Sequence, residues 1–238
     1  MRHTRAFPSI FCFLVIGAAV ILASSARAQS ADNLEAVLKK MDTASAAFHT
    51  TEASFEWILW EKVTGDQDTQ KGKVYFRREG SHIEMAADVS DPKPPKYLLF
   101  TGDKIELYET GINRVTIFDA TQHRADFETF LVLGFGGSGH DLLKSFDVTY
   151  KGTEKIGDVA TSILDLVPKS EKIRNNFPHI TLWIDPDRGV SIQQKLFESS
   201  GNYRQQIYTD IGINKKIADS VFKLKTNSKT ETIMRSGS

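Results

Sequence analysis

Alternation of apolar and polar residues dominates the chain beyond its first fifty residues. In residues 53–60, for example, Phe55, Trp57 and Leu59 share one face of a predicted strand. Turn residues separate such runs at intervals of about 8–12 residues, as is typical of antiparallel sheets. The runs are rich in Val, Ile, Tyr and Phe, and ten of them can be counted: 53–60, 73–78, 97–100, 104–108, 113–118, 146–150, 160–167, 180–185, 190–197 and 203–211. This pattern predicts a curved antiparallel sheet of about ten strands with one apolar face to be covered.

Helical spacing of apolar residues occurs on either side of the first strands. A stripe from Leu34 to Phe48 predicts an amphipathic helix, and Asp32 with Glu35 is a plausible capping pair at its start. Two short helices are predicted at residues 121–133 and 140–145. Four glycines lie near their junction, and we expect them to let this cover move over the sheet.

Shared parity within the strands predicts which side chains line the concave face. The expected set is Phe55, Trp57, Phe76, Leu98, Phe100, Leu107, Ile117, Leu164, Leu166, Leu182 and Ile184. The cover is expected to add Leu131, Leu133, Phe135, Leu142 and Leu143. The sequence therefore predicts a hydrophobic cavity for a ligand, and the alternative is a fully packed core with none.

The N-terminus has the features of a secretory signal. A basic start with Arg2 and Arg5 precedes an apolar run over residues 10–23, which ends in the small-residue motif of residues 26–28. The run is shorter than the roughly 20 residues that a membrane-spanning helix needs, although an uncleaved anchor is the alternative. We expect residues 1–28 to be a cleaved signal peptide and residues 29–238 to form a single domain.

Removal of that segment changes the chemistry of the chain. Cys12 is the only cysteine and leaves with the signal peptide, so no disulfide or cysteine metal site is expected. The full chain has 30 basic and 30 acidic residues, and loss of Arg2, Arg5 and Arg27 leaves a net charge of −3. Because binding to phosphates requires clustered Lys and Arg, a nucleic-acid partner is excluded.

Candidate catalytic and metal-ligating residues are sparse. The five histidines after residue 28 are scattered and show no metal-binding spacing, so we predict neither a metal site nor a cofactor. Ser138, His140 and Asp141 are neighbours in sequence, but neighbouring helical residues point about 100° apart and do not make a relay. The sequence therefore favours a binding protein over an enzyme.

A set of weak motifs in a fixed order carries a family resemblance. The chain resembles the periplasmic outer-membrane lipoprotein carriers (the LolA-like family) over nearly all of residues 30–225. The matching segments are Gly72–Arg78, Gly102–Lys104 with Leu107-Tyr108, Leu166–Lys169, Leu182–Asp185, Gly201-Asn202, Asn214 and Phe222. The Pro and Arg that follow the basic pair in that family are replaced by Glu79 and Ile83-Glu84, so the sequence assigns no residue to hold the cover.

The resemblance implies both a fold and a function. The fold is an α+β open antiparallel half-barrel, whose concave apolar face is covered by an N-terminal helix and short lid helices. The function is that of a monomeric periplasmic carrier, which binds acyl chains of lipoproteins or other lipid cargo and moves them toward the outer membrane. An inner-membrane donor and an outer-membrane acceptor would be its partners. The alternatives are a lipid- or lipoprotein-sensing regulator of the same superfamily and, more distantly, a secreted hydrolase.

Overall fold

The computed structural model describes residues 14–80, 82–121, 133 and 135–235, with backbone only for residues 14–29. The described helices are α1 (Leu14–Ala46), α2 (Gly139–Ser145), α3 (Glu171–Asn176) and a 3-10 turn (Asp219–Phe222). The described strands are β1 (Thr50–Trp60), β2 (Gln67–Glu79), β3 (His82–Asp91), β4 (Lys96–Thr101), β5 (Lys104–Glu109), β6 (Arg114–Asp119), β7 (Phe146–Ile156), β8 (Val159–Pro168), β9 (His179–Asp185), β10 (Val190–Phe197), β11 (Tyr203–Ile213) and β12 (Glu231–Arg235).

All of these strands belong to one sheet in the order β12-β6-β5-β4-β3-β2-β1-β11-β10-β9-β8-β7. Its two end strands, β12 and β7, are not paired with each other, so the sheet is open. Neighbouring strands pair antiparallel except β12, which runs parallel to β6. The predicted class, an open α+β half-barrel, is confirmed.

Two strands were not predicted from the sequence. Strand β3 contains Ala86, Ala87 and several acidic residues, which have low strand propensity, yet it lies between β2 and β4 with both alanines buried. Strand β12 is a five-residue edge strand in which Met234 remains exposed. The local patterns of both segments are too weak to indicate a strand. They form strands because they pair with neighbouring strands of the sheet.

The strand register places ten of the eleven predicted strand residues on the concave face, for example Trp57 opposite Gln206 and Phe76 opposite Met85. The prediction is wrong for Ile117. Leu107 faces inward opposite Leu98, so its neighbour Glu106 faces outward, and Ile117 lies opposite Glu106 on the convex face. Apolar residues occupy both faces of β6, so parity alone could not identify the inner one.

Helix α1 packs across the open face of the sheet. Val37, Leu38 and Met41 are buried, as the apolar stripe predicted. The described part of the helix extends from Leu14, so Asp32 and Glu35, predicted as a capping pair at its start, lie inside it. Within the described residues, no helix is both long enough and apolar enough to cross a membrane.

The convex face is covered in part by the segment that contains the 3-10 turn. The Arg77 guanidinium lies 4.2 Å from the centre of the Phe222 ring. Arg77 also pairs with Asp219 at 2.7 Å and with Glu84 at 2.6 Å. These contacts fasten the turn to the outside of strand β2.

Candidate functional site

An apolar cavity of about 280 Å³ lies on the concave face, between the two halves of the sheet. Most of its lining comes from the central strands β1–β5, β10 and β11, and Leu133 closes it from the cover side. The lining residues are Trp57, Val74, Phe76, Met85, Leu98, Phe100, Ile105, Leu133, Gln194, Leu196, Gln206 and Tyr208.

The structure divides the residues predicted for the cavity into several groups. Five of them line it: Trp57, Phe76, Leu98, Phe100 and Leu133. Phe55 and Phe135 pack in the hydrophobic cluster beside it. Another five are buried in a second cluster that includes α1 and β7–β10: Leu142, Leu164, Leu166, Leu182 and Ile184. That half of the sheet is closed by α1, so these side chains lie in a packed core.

The remaining predicted residues lie elsewhere. Leu107 shares the concave face with Leu98 but is half-buried outside the cavity lining, and Leu143 is half-buried on α2. Ile117 lies on the convex face. Leu131, like most of the predicted helix over 121–133, lies outside the described residues.

Seven lining residues were missed by the reasoning from sequence: Val74, Met85, Ile105, Gln194, Leu196, Gln206 and Tyr208. Val74 shares the parity of Phe76 and Ile105 that of Leu107, so both could have been found by extending it. No residue of β10 or β11 was predicted to face inward, so Leu196 and Tyr208 were missed with their strands. Met85 belongs to the unpredicted strand β3. The two glutamines gave no signal, because a polar residue at an inward position looks like a break in the apolar pattern.

In the described part of the chain, the cover consists of Leu133 and residues 135–145. Phe135 is fully buried, and its ring centre lies 5.1 Å from that of Phe76 and 5.0 Å from that of Tyr208. Gly136 has φ +80°, and a Cβ there would lie 2.7 Å from the Phe48 ring. This glycine is therefore required by a left-handed backbone and by close packing on Phe48, just beyond the end of α1.

Arg78 connects the cover to the sheet and to the segment that follows α1. Its Nη2 donates to the Gly136 carbonyl oxygen at 2.9 Å, and its Nε donates to the Phe48 carbonyl oxygen at 3.3 Å. The Ser45 hydroxyl donates to the same Gly136 carbonyl at 2.7 Å. Arg78 is the second residue of the basic pair, so the anchor that the sequence did not assign lies inside the recognised motif.

A second set of polar contacts ties α2 to α1. The Asp42 carboxylate accepts hydrogen bonds from the Ser138 hydroxyl at 2.5 Å and from the His140 backbone N–H at 3.0 Å, and it also contacts His140 Nδ1. His140 Nε2 lies 3.3 Å from a Glu35 carboxylate oxygen. We call these four residues the α1–α2 tie.

The tie shifts the pKa values of its members toward their charged forms. The hydrogen bond to Asp42, with a smaller contribution from Glu35, raises the pKa of His140 above its ordinary 6.5. Burial raises the pKa of Asp42, but hydrogen bonds from Ser138 and His140 outweigh it and leave that pKa below its ordinary 3.8. The pKa of Glu35 is lowered, first by Lys39 and then by His140.

This arrangement is structural rather than catalytic in geometry. The Ser138 hydroxyl and the His140 ring both bond to Asp42, so the imidazole is not placed as a base for the hydroxyl. Asp141, the neighbour in sequence, pairs with Lys144 at 2.6 Å. In the part of the chain that the structure describes, no group of His, Cys, Asp and Glu residues is arranged to hold a metal ion.

Sequence comparison relates this chain to a known carrier. No family model matches the sequence. The outer-membrane lipoprotein carrier protein of Hahella chejuensis (strain KCTC 2396) is 21% identical over 210 residues, which cover 87% of this chain and 90% of that protein. The resemblance to the lipoprotein carriers is confirmed.

Solved structures share the fold. An uncharacterised conserved protein from Thermus thermophilus superposes with a TM-score of 0.53 at 10% identity, covering 84% of this chain and 97% of its own. The Mycobacterium tuberculosis lipoprotein LppX superposes with a TM-score of 0.51 at 12% identity, covering 79% of this chain and 98% of its own. At these identities the likeness establishes the open half-barrel architecture alone.

Proposed function

We propose that the protein is a periplasmic carrier that binds the acyl chains of lipoproteins, or of other lipid cargo, and moves them toward the outer membrane. The observation that supports this most is the apolar cavity of about 280 Å³ beneath a cover that side-chain hydrogen bonds hold in place. The similarity to a lipoprotein carrier over most of both chains points to the same cargo class.

The energetics suit reversible binding. Burying an acyl chain gains roughly 0.8 kcal/mol per methylene, so a chain with few polar contacts can bind and still be passed to a better acceptor. The cavity, at about 280 Å³, is just below the roughly 300–1,000 Å³ range of small-molecule pockets. We propose that a single chain enters the cavity as it stands and that additional chains require the cover to move outward.

The contacts that hold the cover are suited to such movement. Glu35, Asp42 and His140 each retain substantial side-chain exposure, so solvent can replace their hydrogen bonds when the tie opens. We propose that loading breaks these contacts and that the strands stay paired. The proposal includes a cleaved signal peptide over residues 1–28, a monomeric mature domain over 29–238, and donor and acceptor proteins in the two membranes.

Binding can be measured with residues 29–238 purified from the periplasm and stripped of lipid. A fluorescent fatty acid should bind in a saturable way and be displaced by a diacylated lipopeptide but not by the same peptide without acyl chains. Leu98→Trp fills the cavity and should weaken binding at least tenfold. Ile117→Trp places the same ring on the convex face of the same half of the sheet and should leave affinity unchanged.

Equal affinity of Leu98→Trp and the unmodified protein would contradict the cavity as the binding site. Hydrogen exchange gives a second readout, because a bound chain should increase the protection of residues 135–145. Mass spectrometry of lipids that copurify with the periplasmic protein would identify the cargo. Recovery of the protein free of any acylated molecule, under conditions where the fluorescent probe also fails to bind, would contradict the carrier function.

A further inference from the structure

Two polar atoms in the cavity region are buried without hydrogen-bond partners. They are Nε1 of Trp57 and Oε1 of Gln206, and both residues line the cavity. Trp57 on β1 and Gln206 on β11 are directly opposite each other in the antiparallel register. The Cβ atoms of such cross-strand pairs lie about 4.5–5.5 Å apart, so one small ligand group can reach both side chains.

The surroundings hold the two side chains in this position. The Trp57 indole stacks on the Phe55 ring, with ring centres 4.0 Å apart and an interplanar angle of 23°. On the other side Gln206 lies opposite Gln194, which is only 5% exposed. The Tyr208 hydroxyl lies close enough to the indole N–H for this contact to lower the pKa of Tyr208, but the N–H has no partner at hydrogen-bond distance and angle. Burial raises the pKa of Tyr208 above its ordinary value, so this hydroxyl remains neutral. The result is a small polar patch in an otherwise apolar cavity.

The pair is complementary to one type of chemical group. The indole N–H only donates, and the unpartnered amide oxygen of Gln206 only accepts. Buried polar groups in native proteins are nearly always hydrogen-bonded, so an open donor and an open acceptor on directly opposite residues indicate a ligand that supplies the reverse pair. A hydroxyl or a secondary amide both accepts and donates. An ester or an ether only accepts and would leave Gln206 unsatisfied.

We propose that the cavity binds an apolar chain bearing a hydroxyl or a secondary amide, whose oxygen accepts from Trp57 Nε1 and whose O–H or N–H donates to Gln206 Oε1. This inference rests on the proposed carrier function and narrows its cargo to hydroxylated or amide-linked chains. Ester-linked chains that lack such a group bind more weakly, because they cannot satisfy the glutamine.

Two pairs of matched ligands test the proposal. N-methyldodecanamide and methyl dodecanoate differ only by N–H in place of oxygen, and 1-dodecanol and methyl undecyl ether are isomers that differ in the hydroxyl. Affinities are measured by displacement of a fluorescent fatty acid from unmodified protein and from Gln206→Met. The affinity ratio of donor to non-donor ligand should fall about fivefold or more in the variant, because the hydrogen bond to Oε1 is lost while the hydration of the ligands is unchanged.

Gln205→Met provides the matched control. Gln205 is the adjacent residue of β11 and lies opposite Ile58 and Lys195, on the convex face, so its replacement should leave both ratios unchanged. Trp57→Phe removes the N–H donor, and it should weaken the amide and the ester by a similar factor because both lose a bond to their carbonyl. This second variant keeps the inference testable if Gln206→Met does not fold.

The outcomes separate the two proposals. A response confined to the amide pair or to the alcohol pair supports the inference and identifies which group the natural cargo carries. Ratios that are the same in the unmodified protein and in Gln206→Met overturn the inference, while binding of all four ligands leaves the carrier function standing. If the unmodified protein binds neither these ligands nor the fluorescent fatty acid, both proposals fail.

Discussion

Gly139 sets the distance between the cover and helix α1. It is the first residue of α2 and is buried, and a Cβ built on it would lie 2.3 Å from the carbonyl oxygen of Leu38 and 2.6 Å from its Cα. Both atoms are backbone, so no side-chain rotation can relieve the contact. Gly139→Ala must therefore move α2 away from α1 by about 1 Å to reach an ordinary contact distance.

The size of the effect follows from two opposing terms. Alanine in place of glycine favours a helix interior by roughly 0.5–1 kcal/mol, which is an upper limit at this first helical position, whereas an added methyl group in a closely packed site costs about 1–3 kcal/mol. The rigid backbone contact puts the packing term at the upper end, so we expect a net loss of about 1–2 kcal/mol. A domain of this size would lose roughly 2–8 °C in melting temperature. The outward shift also lengthens the contacts of Ser138 and His140 with α1.

Thermal melts followed by circular dichroism, with hydrogen exchange of residues 135–145, measure both effects. Gly212→Ala is the control, because its Cβ would meet only the flexible and largely exposed side chain of Lys215. We expect Gly139→Ala to melt several degrees lower than Gly212→Ala and to exchange faster in the cover. Identical melting temperatures and exchange in the two variants would refute the packing argument.

Three further predictions concern the tie, the core and the anchor. Because the folded state raises the pKa of His140, the tie should stabilise the protein fully below about pH 6.5 and lose that contribution as the pH rises through the raised value. Melts of His140→Phe should thus differ from those of the unmodified protein at pH 6 and converge at pH 9, and a constant difference would contradict the ionic tie. Leu182→Ala should cost about 2–5 kcal/mol in chemical denaturation, and Leu98→Ala clearly less, because Leu182 is fully buried in packed core while Leu98 borders existing space. Equal losses of stability in the two variants would contradict the distinction between packed core and open cavity. Arg78→Met should accelerate hydrogen exchange at residues 135–145 without altering exchange in strand β8, since it removes the bonds to the Gly136 and Phe48 carbonyls. Unchanged exchange would show that Ser45 and the tie suffice.

The fold was largely predictable because period-two alternation reports burial on one side of a strand. Prediction from this alternation failed where the residue types of a segment do not match its position in the folded sheet. Ala86 and Ala87 have weak strand propensity but lie in the middle of the sheet, and Ile117 is apolar although it faces outward.

The site was less predictable than the fold. The division between packed core and open cavity depends on where α1 lies on the sheet, which no strand pattern encodes. Gln206 is a polar residue at an inward position. Its role as a candidate ligand contact could be inferred only from its position opposite Trp57 in the structure. Arg78 belonged to a recognised motif, but its bond to Gly136 joins positions 58 residues apart in sequence.

The adjacent arginines of strand β2 have a consequence for how the chain tolerates change. Arg77 fastens the 3-10 turn to the outside of the half-barrel, whereas Arg78 fastens the cover to the inside. The register of β2 therefore matters on both surfaces of the sheet. A shift by one residue would turn every side chain of the strand to the opposite face, and Phe76 or Glu79 would then occupy one of the two positions that now hold an arginine. Insertions or deletions in β2 upstream of this pair should thus be far less acceptable to the protein than substitutions there, and homologous chains should preserve the spacing of the strand even where its side chains differ.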